Sequence, residues 1–197
     1  MPVRARAEAS RNAIMQAAMA LWRTKGYAAT SVTEICKAAG VSKALFYVYF
    51  ARREDILLTV EADTMRDAHQ AATAMVEQPY DLSDVIATVI RTLESRTRHY
   101  PPELVFETVL ESYRLERRAM AEGATENELT FLFLTPFQQA QLDGKFAADV
   151  DVARLARIAQ VLVSDAIRCW AASDFRDPLR TDDLAREITT LLTGDRI

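Results

Sequence analysis

Long apolar runs are missing from this sequence. No window of about 18 consecutive apolar residues occurs in its 197 residues, so no membrane partner is expected. Glycine and proline are scarce, at five and six. With so few breakers and so much Ala, Leu, Arg and Glu, a turn-rich array of short strands is excluded and helices are favoured. Cysteine is limited to Cys36 and Cys169, and there are two histidines. These residues show neither a disulfide framework nor metal-ligand spacing, so neither a metal nor a cofactor is expected. A phosphate-cradling glycine loop, a nucleophile elbow and a Glu-x-x-His pair are all absent, and the chain is not read as an enzyme. The N-terminal MPVRARAEASRNAIMQ is basic, but polar residues interrupt the apolar stretch after it. It does not read as a secretory leader, and two reduced thiols in the cytoplasm are the expectation.

What is present is an uneven charge. The net charge is −4, yet residues 1–53 hold nine Lys or Arg against two Glu, a net +7. Residues 54–197 hold 15 basic against 26 acidic residues, a net −11. A basic head on an acidic body points to a polyanion that meets the head alone. We therefore expect two domains, 1–53 and 54–197.

Helical periodicity runs through most of the chain. About nine helices are expected, an all-α fold with a three-helix head. In the first helix, about 5–25, Ile14, Ala17, Ala18, Leu21 and Trp22 form one apolar stripe closed by Gly26. Ser31 and Glu34 form a capping box for a second helix that Gly40 ends, with Thr30 as the alternative cap. Ser42 caps a third helix that ends near Tyr49. Two short helices joined at Gly40 have the length and chemistry of a helix-turn-helix. Phe46 and Phe50, four apart, share a core face, so Tyr47 falls elsewhere. In the body, Pro136 inside a helix of about 125–142 predicts a kink. The helix at about 151–172 is apolar on more than one face. With Leu184, Ile188 and Leu191 of the last helix, it fits a dimer built as a four-helix bundle.

The stretch GYAATSVTEICKAAGVSKALFYVYFARREDIL, residues 26–57, resembles the DNA-binding region of TetR-family transcriptional regulators. The resemblance rests on Gly26-Tyr27, Thr30, Val32, Ile35, the run Ala39 to Lys43, the Phe46-Tyr47 and Tyr49-Phe50 pairs, and Arg53-Glu54. Ala44 stands where glycine is frequent, and Arg52 replaces a common serine. The resemblance implies a ligand-responsive dimeric regulator, acting as a repressor on a palindromic operator in double-stranded DNA. A homodimer would place two recognition helices about 34 Å apart or a multiple of it. An interaction protein that keeps the fold without binding DNA is the alternative.

The candidate DNA-binding residues are Thr30, Ser31, Lys37, Ser42, Lys43, Ala44, Leu45, Tyr47, Val48 and Arg53. Lys43 suits a guanine edge or a phosphate, and Ala44 and Leu45 suit a thymine methyl. Thr30 and Ser31 lie where free helix amides attract phosphate. Tyr47, by resemblance, holds a phosphate; Lys37 and Arg53 are further phosphate candidates. Arg4 and Arg6 are expected on a disordered arm. For a partly apolar small-molecule effector that releases DNA, the candidate lining is His69, Phe106, Tyr113, Phe133, Phe137 and Trp170. The dimer contact is assigned to Leu155, Leu162, Ala166, Leu184, Ile188 and Leu191.

Overall fold

The computed structural model describes residues 3–123 and 132–194. Every regular element among them is an α-helix. The head contains α1 (Val3–Lys25), α2 (Val32–Ala39) and α3 (Lys43–Tyr49). The body contains α4 (Asp55–Met75), α5 (Leu82–Thr97), α6 (Pro102–Ala121), α7 (Leu134–Leu142), α8 (Val152–Ala172) and α9 (Thr181–Thr193). Residues 125–131 of the helix predicted over 125–142 lie outside the described residues, as does the side chain of Arg4. No helix among the described residues is long and apolar enough to cross a membrane.

Each head helix begins and ends where its local chemistry requires. Ser31 and Glu34 close a capping box on α2. Gly40 terminates α2 at φ +67°, a left-handed position that glycine takes without a Cβ clash. Ser42 then caps α3 by accepting from the Leu45 amide at 3.1 Å. Seven residues cannot sustain an isolated helix. Burial of Phe46 and Phe50 against Ile14, Ala18, Trp22 and Ile35 holds α3 in place.

Packing runs across residue 53. Ile56 and Leu57 of α4 and Leu104 of α6 belong to the head core. The Tyr27 amide donates to Glu103 Oε1 at 3.0 Å, and Arg23 Nε donates to the His99 carbonyl at 3.1 Å. A separate body core joins α5 to α8 and α9 through Val85, Ile86, Ile90, Phe137, Val163 and Ile188.

Two local expectations are corrected. The backbone is helical from Val3, so Arg6 sits on α1 and not on an irregular arm. Pro136 is the third residue of α7, where amide hydrogens lack an intrahelical acceptor anyway, so it opens a helix instead of kinking one. On α6 the inward positions are Leu104 and Glu111, whereas Leu110 and Tyr113 face solvent.

Candidate nucleic-acid interface and effector cavity

The α3 helix has two distinct faces. Phe46 and Phe50 are shut in the core, while Tyr47 is 55% and Val48 74% exposed. Lys43 and Ala44 are also exposed, and Leu45 is half-buried. A valine left that open gains nothing from the head itself. The Tyr47 ring rests edge-on against Phe46 at 5.4 Å, which steadies the ring and leaves its hydroxyl end outward. Lys37 and Lys43 are exposed and form no ion pair among the described residues. The other head cations are largely committed: Lys25 pairs with Glu34, Arg52 with Asp55 and Glu111, and Arg53 with Glu54.

The N-terminus of α2 is already occupied by an acceptor. Glu34 Oε2 accepts from the Ser31 amide at 2.9 Å and from its hydroxyl at 2.7 Å. The Lys25 hydrogen bond, then those from Ser31, hold the Glu34 carboxyl down at about 2. A phosphate arriving beside exposed Ser31 must therefore displace or share with a carboxylate. Thr30 is removed from the surface altogether: it is 2% exposed and its hydroxyl donates to the Gly26 carbonyl at 2.8 Å. Its expected phosphate contact is corrected to an internal turn bond.

Arg53 also points inward. Its Nη1 donates to the carbonyls of Tyr27 at 2.9 Å and Thr30 at 2.6 Å, and its guanidinium stacks 4.1 Å above the Tyr27 ring. Tyr27 in turn donates to Glu54 at 3.2 Å; burial first, then Glu54, pushes its hydroxyl up to about 12. Arg53 thus fixes the turn before α2. Arg53→Ala is expected to cost the head about 2 kcal/mol, since two carbonyls lose a charged donor. Exposed Lys37→Ala should change stability by less than about 0.5 kcal/mol. Urea unfolding of the two variants checks the contrast.

The body contains a cavity of about 110 Å³ between α4, α5, α6 and α8, with Met19 of α1 in its wall. Its lining is Leu57, Val60, Glu61, Thr64 and Met65 from α4, Leu93 and Thr97 from α5, then Tyr100, Leu104, Val105, Thr108 and Val109, and Ser164 and Ile167 of α8. None of the six expected lining residues is among them. Phe133 and Phe137 are fully buried, 5.2 Å apart, and Phe137 continues onto Phe146. Trp170 is sealed between Phe175 and Arg98. Tyr113 is 67% exposed, Phe106 is half-buried outside the lining, and His69 Nδ1 lies 3.4 Å from the Leu132 carbonyl. The wall is built of branched and hydroxyl side chains, which a search by aromatic type does not find. Glu61 left a legible signal, being an acid within the apolar spacing Leu57, Val60, Thr64, Met65.

Glu111 was also missed. It is 1% exposed, and accepts from Arg52 at 3.2 Å and from Arg114. Since Arg52 precedes α4 and Glu111 sits on α6, this pair ties the entrance of the body to the helix that walls the cavity. The Asp165–Arg168 pair is intrahelical, at 2.6 Å.

Of the expected dimer residues, Ile188 is buried inside its own protomer, and Leu155, Leu162 and Leu184 pack on the same core. Ile188 is thereby withdrawn from any interface. Ala166 is half-buried, and Leu191 is 72% exposed. The outer face of α8 instead offers Ile158 and Val161, and α6, which packs on α8, exposes Leu110 and Tyr113.

Residues 14–60 match the family described as bacterial regulatory proteins, tetR family. Over 69 residues, 35% of this chain, the sequence is 35% identical to the HTH-type transcriptional regulator EthR of Mycobacterium tuberculosis, a stretch that spans 32% of EthR. The fold is similar to that of Thermus thermophilus FadR, a TetR-family transcriptional repressor solved with lauroyl-CoA, with a TM-score of 0.68, 24% identity and 92% of each chain covered. It is also similar to that of the transcriptional regulator FadR of Bacillus subtilis, solved with stearoyl-CoA, with a TM-score of 0.65, 19% identity, and 94% of this chain and 99% of that one covered. At these identities the likeness to both solved structures is one of fold.

Proposed function

Because residues 14–60 belong to the tetR family of bacterial regulatory proteins and the whole chain has the fold of such regulators, we propose that the protein is a dimeric, ligand-responsive repressor of transcription. Its operator is a palindrome in double-stranded DNA. The observation that carries this reading is the bare outer face of α3: Lys43, Ala44, Tyr47 and Val48 stand in solvent while Phe46 fixes the helix from behind. A short helix held by its inner aromatics and open on its outer face is suited to lie in a major groove. Ser42, Lys43, Ala44, Leu45 and Val48 form the base-facing set, with Lys37, Tyr47 and Ser31 at the phosphates. The alternative role of Lys43 as a phosphate contact leaves this docking unchanged.

One head spans too few base pairs for useful selectivity, so two must act together. The outer face of α8 is the surface we assign to pairing, with Ile158 and Val161 in the contact and Leu191 of α9 alongside. Val161→Asp would bury an unpaired charge in that contact. It is expected to weaken self-association by about 100-fold, or about 2.7 kcal/mol. Sedimentation velocity should then show monomer at micromolar concentration; an unchanged dimer would move the interface elsewhere.

The cavity is the effector site in this account. The two FadR proteins were solved with acyl-CoA, and the predominantly apolar wall here suits a ligand with a hydrocarbon body. Helix α6 supplies Val105, Thr108 and Val109 to the wall and also holds the head through Glu103 and Glu111. Helix α4 supplies the facing wall and places Ile56 and Leu57 in the head core. A ligand that fits only when α4 and α6 separate shifts the head with them, and its differential affinity for the two arrangements sets the response. Footprinting on DNA upstream of the protein's own gene tests the proposal. One protected palindrome holding two protomers is expected, and its absence would refute it.

A further inference from the structure

We propose that the effector is an apolar molecule bearing one basic nitrogen, and that Glu61 is the group that recognises it. This rests on the reading of the cavity as the effector site and adds the chemistry of the ligand's polar end. The lining contains no Lys, Arg or His; its ionisable groups are Glu61 and Tyr100. Among the described residues Glu61 has a single hydrogen-bond partner, the Ser112 hydroxyl on α6. That hydroxyl is also 3.0 Å from the Thr108 carbonyl, and it has one proton for two acceptors. Glu61 therefore keeps lone pairs that no other described residue fills, beside a largely hydrocarbon wall. Thr97, 9% exposed, and Ser164 add two hydroxyls to the same cavity, both without a hydrogen-bond partner among the described residues. A carboxylate only accepts hydrogen bonds and a hydroxyl can turn to accept, so the complementary ligand group is a donor.

Charge selects among donors. Burial pushes the Glu61 carboxyl up, opposed by the Ser112 bond, and no cation among the described residues pairs with it. An ammonium brings the missing positive charge into a place where water screens little, and charge-assisted bonds are the strong ones. A carboxylate ligand meets a like charge with no compensating base in the wall. Bracing α4 against α6 would not explain an acid here, because a neutral amide at residue 61 can also bond Ser112.

The test is a head-group series with one chain length. Decylamine, decanol and decanoate are titrated calorimetrically into the full-length protein and into Glu61→Gln, with operator release by each compound and by lauroyl-CoA followed in parallel. The unmutated protein should bind decylamine about ten-fold or more tighter than decanol, and decanoate more weakly than decanol. Glu61→Gln should erase the preference for the amine while leaving decanol affinity within about two-fold. Equal binding of all three, tighter binding of decanoate, no binding at all, or an amine preference that survives Glu61→Gln would overturn the proposal. The head-group order in the unmutated protein decides even where the variant does not fold. Release of DNA by decanoate or lauroyl-CoA but not by decylamine would leave the effector-site reading standing and this inference fallen. A Glu61-dependent amine preference without any effect on DNA would sustain the recognition chemistry and remove the regulatory reading.

Discussion

Phe46→Ala is expected to abolish operator binding while leaving the body helices folded. Phe46 is fully buried, with Phe50 at 5.8 Å and Tyr47 at 5.4 Å from its ring. Truncating a buried phenylalanine costs about 3–5 kcal/mol, which is a large fraction of the 5–15 kcal/mol that typically holds a domain together. The loss falls on a helix of seven residues that has no stability of its own. Released from its seat, α3 no longer holds Lys43 and Tyr47 in one geometry. Circular dichroism should show a small loss of helix with the main transition retained, since the body core is built from separate residues. Operator binding at wild-type strength by a folded Phe46→Ala protein would show that α3 is not the reading element.

Lys43→Ala carries the second large effect, and it acts without unfolding anything. Lys43 is exposed and forms no ion pair among the described residues, so its removal should leave stability within about 0.5 kcal/mol. At the operator the loss is about 1–3 kcal/mol per head if the amine donates to a base edge. Two heads on one palindrome contribute independently, giving about 2–6 kcal/mol in all. The two roles open to Lys43 separate in the data. A base contact relaxes sequence preference at one position of each half-site. A phosphate contact weakens all sequences alike and lowers the salt slope by about 1 per head. Unchanged affinity in Lys43→Ala would remove it from the interface altogether.

The parts of this protein that sequence made legible are those fixed by neighbours in the chain. The Ser31–Glu34 box, the Gly40 stop and the Ser42 cap each depend on residues three or four apart, and all three form as their spacing implies. The four-residue step between Phe46 and Phe50 likewise sorted core from surface on α3. The roles that eluded the sequence depend on distant partners. Arg53 was read by side-chain chemistry, and it is claimed by carbonyls of the turn around Tyr27. For Arg53 that partner lies 26 residues away. In the body, periodicity placed helices but not their rotation against one another. The result was a set of aromatics that proved to pack on each other or face solvent, while Val, Thr and Met formed the cavity. Residue type alone favours aromatics for a ligand site, yet a core packs its large rings together first. Of the two acids that matter, Glu61 stands among Leu57, Val60 and Met65 at helical spacing and left a signal, whereas Glu111 has Glu107, Thr108, Arg114 and Leu115 at that spacing and left none.

The charge pattern gains meaning from the fold. Arg52 and Arg53 are spent on carboxylates beyond residue 53, so the net +7 of residues 1–53 overstates what a partner meets. Lys37 and Lys43 remain exposed beside the open face of α3. Under the proposed function, the net −11 of residues 54–197 disfavours duplex at the body.

The central claim is that this head grips duplex DNA through α3. It is tested most directly by measuring the affinity of the full-length protein, by fluorescence anisotropy, for the fragment upstream of its own gene as salt is raised from low ionic strength. The account expects tight binding of two protomers, with log K falling linearly in log salt by about 0.9 for each phosphate contacted, and a loss on substituting Lys43. Failure to bind that fragment at low salt, or binding indifferent to both salt and Lys43, would contradict it.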